Sequence, residues 1–169
     1  PSVIEAILTG KPYPVRALHV TGVNIAVTYP DTKRIIKALK SLDFLSVATH
    51  MMTPTAEFAD LVLPKTTSLE EEEISLDPVA PCISFTRAIL EPRGEVRSDF
   101  EFTTDLARRL QSRGVNTKPF FPWETKRDFN AYMLGDGGVS FDELEEKGFV
   151  AFPYLLRDFN TVGCKTPPG

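Results

Sequence analysis

The chain has 169 residues, 42% hydrophobic and 25% charged, the size and composition of one ordinary globular domain rather than of a disordered segment. No run nears the ~18 consecutive apolar residues of a membrane-spanning helix. A net charge of −4 argues against a general binder of nucleic acid or of anionic membranes.

Ile4, Ala6, Ile7 and Leu8 predict the end of a helix that stops at Gly10, a residue free to take the left-handed conformation after a helix. Lys11-Pro12-Tyr13-Pro14 is a rigid connector. Residues 15–20, VRALHV, predict a short buried strand running into a small polar turn, Thr21-Gly22-Val23-Asn24. Asp31, after Pro30, can cap the next helix, where Ile35, Leu39 and Leu42 recur at i, i+4 and i+7 as one apolar face. A second strand over 44–48 ends in Thr49-His50-Met51-Met52. Thr53 followed by Pro54 marks a helix start, a capping hydroxyl and then proline at the first helical position, for a short helix over 54–58. Ala59-Asp60 lead to a third strand over 61–63, stopped by Pro64. Strand, helix, strand, short helix, strand is the pattern of a parallel α/β sheet.

The middle is less regular. Glu70 to Glu73 are four consecutive carboxylates, which read as a solvated face. Pro78 and Pro81 break the chain, and residues 83–89 alternate as a further strand would. Ser98 and Glu101 form a capping box for a helix on which Phe102, Leu106 and Leu110 line one face, with Arg108, Arg109 and Arg113 toward its C-terminal end. Gly114 ends it. After the connector Pro119-Phe120-Phe121-Pro122-Trp123, a helix over 124–134 is expected, ended by Gly135, Gly137 and Gly138. Ser140 and Glu143 form a second capping box for a short helix closed by Gly148, and the last 20 residues look extended. Pro1 in place of Met, and the close on Thr166-Pro167-Pro168-Gly169, lead us to expect a single fragment of a longer chain, residues 1–169. Its α/β core would be 1–114 and its helical and extended C-terminal extension 115–169.

In an open parallel sheet, ligands bind beyond the carboxyl ends of the strands. Here those ends are Thr21-Gly22-Val23-Asn24 and residues 49–55. Gly22 lets a ligand approach the backbone, Asn24 offers a donor and an acceptor, and Thr53 and Thr55 sit where free N–H groups favour a phosphate. The same residues also suit a plain turn and a plain cap. There is no G-x-G-x-x-G and no G-x-x-x-x-G-K-[ST]. His19, inside an apolar strand, reads as a satisfied core histidine, while His50 is open between ligand contact and packing. Two histidines and two distant cysteines, Cys82 and Cys164, supply no zinc ligand set and no disulfide framework. Nothing in the chain assembles a self-sufficient active site.

From Ala17 to Glu70 the residues resemble the molybdopterin oxidoreductase family, the enzymes carrying two molybdopterin guanine dinucleotides. The motifs are a strand followed by Gly22-x-Asn24, then Lys40-x-Leu42-Asp43-Phe44, then T-x-T-A-x-x-A-D-x-V-L-P over residues 53–64 with Glu70 beyond. GEVRSDFEFTTDLARRL resembles the family's later helix, and residues 164–169 the start of its T-P-x-G-K segment. GKPYPVRAL and Thr53-Pro54-Thr55 are closest to the thiosulfate and polysulfide reductase and acetylene hydratase branch. The resemblance implies a Rossmann-like, three-layer α/β sandwich on a parallel sheet, holding the guanosine end of one cofactor molecule. By position, Gly22, Val23, Asn24, Thr49, His50, Thr53 and Thr55 would bind it. Thr49 stands where the family usually has Asp, whose carboxylate can accept two hydrogen bonds from guanine. The resemblance also implies an oxidoreductase active only as a whole, with molybdenum or tungsten and an iron–sulfur cluster ligated outside this fragment. The expected partners are other domains of the same catalytic subunit and an iron–sulfur electron-transfer subunit, without nucleic acid or membrane insertion, in a prokaryotic periplasm or cytoplasm. Two alternatives stay open: a degenerate, cofactor-free structural homologue in a respiratory complex, and an unrelated α/β nucleotide-binding module.

Overall fold

The computed structural model describes residues 2–77, 82–115, 122–135 and 138–152. The expectations for Pro1, Pro78, Pro81, residues 119–121, Gly137, Cys164 and the last 17 residues lie outside these. The chain forms two compact units, residues 1–71 with 89–122, and residues 72–88 with 123–169.

The first unit opens with helix α1 (Val3–Thr9), capped by the Ser2 hydroxyl and ended by Gly10 in the left-handed conformation, φ 73°. Strand β1 (Ala17–Thr21), the single-turn helix α2 (Ile25–Thr28), helix α3 (Thr32–Lys40), strand β2 (Phe44–Thr49), a 3-10 turn (Ala56–Phe58), strand β3 (Leu61–Pro64) and helix α4 (Asp99–Ser112) follow. The three strands are parallel in the order β1-β2-β3, with Val20 opposite Val47 and Val47 opposite Val62. Side chains alternate along each strand. Leu18, Val20, Leu45 and Val47 therefore share one face, packed with Ile35 and Leu39 of α3 and Ile4 of α1. His19 and Ser46 take the other face, where Phe102 of α4 stacks on the His19 ring at 4.4 Å and 22°. The expected parallel α/β sheet with helices on both faces is present.

Three local expectations need correcting. The polar turn over 21–24 is present, but a helical turn not foreseen, α2, follows it from Ile25, with Asn24 at its N-terminus tied to Thr55. The helix expected over 54–58 is one 3-10 turn, with the Thr53 hydroxyl accepting from the Ala56 N–H at 3.2 Å. On α4 the capping box of Ser98 and Glu101 forms as expected, but Phe100, Thr104 and Ala107 are buried while Leu106 is 41% exposed. Apolar residues lie on more than one side of this helix, and spacing alone selected the wrong stripe.

The second unit pairs β4 (Glu73–Asp77), β5 (Cys82–Thr86) and β6 (Phe149–Ala151) in an antiparallel sheet, with helices α5 (Lys126–Leu134) and α6 (Phe141–Lys147). Phe85, Val139, Phe141 and Leu144 form its core, with Phe85 and Phe141 edge to face at 5.2 Å. Glu73 opens β4, so the acidic run leads into a strand not foreseen, and the strand expected over 83–89 spans only Cys82–Thr86. Ser140 caps α6 through the Glu143 N–H at 3.1 Å. The expected Ser140–Glu143 box is not completed, the Glu143 carboxylate accepting from Lys147 at 2.7 Å instead, whereas Thr125 and Asp128 form a complete box on α5. Among the described residues, no helix is long and apolar enough to cross a membrane.

Candidate functional site

All three parallel strands of the first unit end on one side, and the loops beyond them enclose a cavity of about 250 Å³. Gly22, Val23 and Asn24 after β1, Thr49 and His50 at the end of β2, and Thr53 line it, with Ala48, Met51 and Lys65. Thr55 lies beneath, fully buried. A larger hollow of about 720 Å³ adjoins α1, β1 and α3 and is lined mainly by apolar side chains such as Leu18, Val23, Ile25 and Tyr29. The larger hollow also carries polar side chains, among them Ser2, Asp31 and Arg34, but the smaller cavity has the location that open α/β sheets use for ligands.

Each polar group in the cavity has a defined role. Asn24 Oδ1 accepts from the Thr55 hydroxyl at 2.7 Å and the Thr55 N–H at 3.3 Å, and the Thr55 oxygen accepts from the Ala26 N–H at 3.0 Å. This chain of bonds ties the β1–α2 loop to the segment after β2. The Asn24 carbonyl is thus committed to the scaffold, leaving its amide hydrogens as donors. Gly22 has φ 69°, and a side chain there would meet nothing within 4 Å, so its face of the cavity is open. The Thr49 hydroxyl turns back on the Met51 carbonyl at 2.8 Å. His50 Nε2 lies 2.7 Å from the Thr66 carbonyl. A carbonyl only accepts, so Nε2 carries a proton.

Lys65, one residue beyond β3, was not anticipated. Its Nζ donates to Asp99 Oδ2 at 2.5 Å, and the Thr21 hydroxyl donates to Asp99 Oδ1 at 2.6 Å. Burial pushes the Asp99 carboxyl up, but the hydrogen bonds from Lys65 and Thr21 outweigh it and hold the group below the usual carboxylate range. The available signal was the cation in Leu61-Val62-Leu63-Pro64-Lys65, directly after an apolar strand. His19, beneath, is only half satisfied. Nδ1 lies 2.8 Å from the Ser46 hydroxyl, while Nε2 is buried without a partner among the described residues. Burial lowers its pKa, with the Asp99 charge opposing. Asp60 stays out of the cavity, its carboxylate accepting from the Leu45 N–H at 2.7 Å.

The arrangement can bind and orient a ligand. No three His, Cys, Asp or Glu side chains among the described residues are grouped to hold a metal ion. Cys82 is a half-buried free thiol on β5.

The pattern of the molybdopterin oxidoreductases matches residues 2–109. The chain is 28% identical over 165 residues to the thiosulfate reductase molybdopterin-containing subunit of Salmonella typhimurium, covering 95% of this chain and 21% of that protein. It is 28% identical over 174 residues to the acetylene hydratase of Syntrophotalea acetylenica, covering 99% and 23%. Against the dimethyl sulfoxide/trimethylamine N-oxide reductase of Rhodobacter capsulatus, identity is 34% over 147 residues, covering 82% and 18%. The solved acetylene hydratase from Pelobacter acetylenicus superposes with a TM-score of 0.71 at 27% identity, covering 88% of this chain and 20% of that one. The chain thus spans about a fifth of the length of these relatives. With the parallel sheet, the cavity at its strand ends and the matched residues in agreement, this chain belongs to the molybdopterin oxidoreductase family.

Proposed function

We propose that the cavity at the ends of β1, β2 and β3 holds the guanosine end of a molybdopterin guanine dinucleotide, as one part of the cofactor-binding surface of a larger catalytic subunit. The observation that carries this reading is the convergence of Gly22, Val23, Asn24, Thr49, His50 and Thr53, which lie up to 31 residues apart in sequence, on one cavity. The residues fit such a group. Gly22 leaves room for close approach, the Asn24 amide and Lys65 ammonium are donors for oxygen acceptors, and exposed Met51 and Val23 offer apolar surface to a base. When bound, the cofactor supplies two-electron redox chemistry at its metal. The chain's own part is to bind and orient the dinucleotide: Asn24 and Thr55 fix the loop geometry, Thr53 fixes the turn below, and Lys65 sets the local charge. Metal, iron–sulfur cluster, electron-transfer partner and substrate then belong to the rest of that subunit and its assembly.

Thr49 favours a second reading, a homologue that keeps the fold without the cofactor. Its hydroxyl serves the Met51 carbonyl, so the position offers no carboxylate to a guanine.

The test is to release nucleotide from the purified full protein by acid and to quantify GMP and metal together. GMP and molybdenum or tungsten in a fixed ratio, both falling in Gly22→Val, is the expected result. Protein free of guanine nucleotide and metal supports the second reading instead.

A further inference from the structure

Among the described residues lining the cavity, Lys65 is the one with a permanent charge, and no carboxylate lines it. Its side chain is 13% exposed. An ammonium so far withdrawn from water needs partners. Asp99 supplies one, and is itself held by the Thr21 hydroxyl and by its place in the first turn of α4, where a helix end favours an anion. The pair is directional. Asp99 stands outside the lining, and Lys65 keeps two N–H donors beyond that bond. Resting on the nucleotide-binding reading above, we infer that Lys65 is the anion-contact residue of this site, its ammonium taking a phosphoryl oxygen of the bound nucleotide while Asp99 and Thr21 hold it in position. A neutral base edge uses little of a full charge, whereas a phosphoryl oxygen forms a short, charge-assisted bond with it. Asp99 and Thr21 are positioning residues in this arrangement.

The test is calorimetric titration of the cofactor-free full protein with inorganic pyrophosphate, GDP and guanosine, in wild type, Lys65→Gln and Lys65→Arg. Lys65→Gln should weaken pyrophosphate and GDP about tenfold or more, leave guanosine within about twofold, and Lys65→Arg should restore most of the loss. Unchanged GDP and pyrophosphate binding in Lys65→Gln, or an equal loss for guanosine, overturns the assignment of Lys65 and leaves the nucleotide reading standing. A wild-type protein that binds none of the three overturns both. If Lys65→Gln does not fold, the rate of Lys65 acetylation in wild type decides. Pyrophosphate should slow it relative to Lys33 on α3, and equal slowing of both sites overturns the inference.

Discussion

Asn24 and Thr55 are joined twice, with Asn24 Oδ1 accepting from both the hydroxyl and the backbone N–H of Thr55, 31 residues further along the chain. Thr55 has no exposed surface, so its hydroxyl has no water to turn to. Asn24→Ala strands that group and should destabilise the first unit by about 1–3 kcal/mol as well as lower cofactor content. Asn24→Asp keeps the acceptor and should recover most of the stability. Urea titration alongside metal analysis checks both, and an unchanged urea midpoint in Asn24→Ala would show that the two loops are held together by other means.

The two leucines Leu144 and Leu106 separate real burial from apparent burial. Leu144 is fully buried against Phe85, Val139 and Phe141, whereas Leu106 is 41% exposed. Leu144→Ala should cost about 2–5 kcal/mol, and Leu106→Ala within about 1 kcal/mol. Equal losses in thermal or chemical denaturation would contradict the orientation of α4 or the packing of α6.

Ser98 closes the capping box of α4, its hydroxyl accepting from the Glu101 N–H while the Glu101 carboxylate accepts from the Ser98 N–H. Ser98→Ala should cost about 1 kcal/mol. Because Asp99 is the next residue, fraying here would also loosen Lys65. Pyrophosphate affinity should therefore fall with stability in this variant, measured side by side.

Acidification should destabilise the first unit in two stages. His19 is held below its ordinary value of 6.5, chiefly by burial, with the Asp99 charge opposing. Asp99 also lies below its ordinary 3.8, because hydrogen bonds from Lys65 and Thr21 outweigh burial. In both cases the unfolded chain binds the proton more readily than the folded one. Each contribution is therefore complete above the ordinary value and lost as pH falls below it toward the folded value. The urea midpoint should be level near pH 7 and begin to fall below about 6.5, with a further fall under about 3.8. His19→Gln should abolish the first fall and keep the second. A midpoint that rises on acidification through the first window would refute the burial of the His19 ring.

The first unit was legible because local signals and tertiary packing agree there. Apolar strands lie between marked helix ends, and Asp31, Ser98 and Gly10 cap as their types require. The cavity residues could be named because parallel strands must end on one side, whatever the side chains. Lys65 also follows the carboxyl end of a strand, but that place alone does not mark it as a site residue. Its significance depends on Asp99, 34 residues away and brought near by the fold, and no spacing rule encodes that distance. β4 was hidden for a related reason. Its acidic lead-in reads as solvent-facing, and only pairing with β5, Ile74 opposite Phe85, makes it a strand. On α4, Phe100 and Phe102 are both apolar, and the decision between their faces belongs to what packs against them, His19 among it.

Asp60 fastens β3 to β2 in both directions, its N–H donating to the Leu45 carbonyl at 2.8 Å and its carboxylate accepting from the Leu45 N–H at 2.7 Å. With only four residues in β3, this clasp acts as the zero mark of a ruler whose last graduation is Lys65. A slip of one residue would exchange the two faces of the strand and carry the ammonium to the wrong side of the sheet. A substitution at Asp60, at the opposite end of the strands from the cavity, should therefore surface as misreading of the ligand before it surfaces as unfolding.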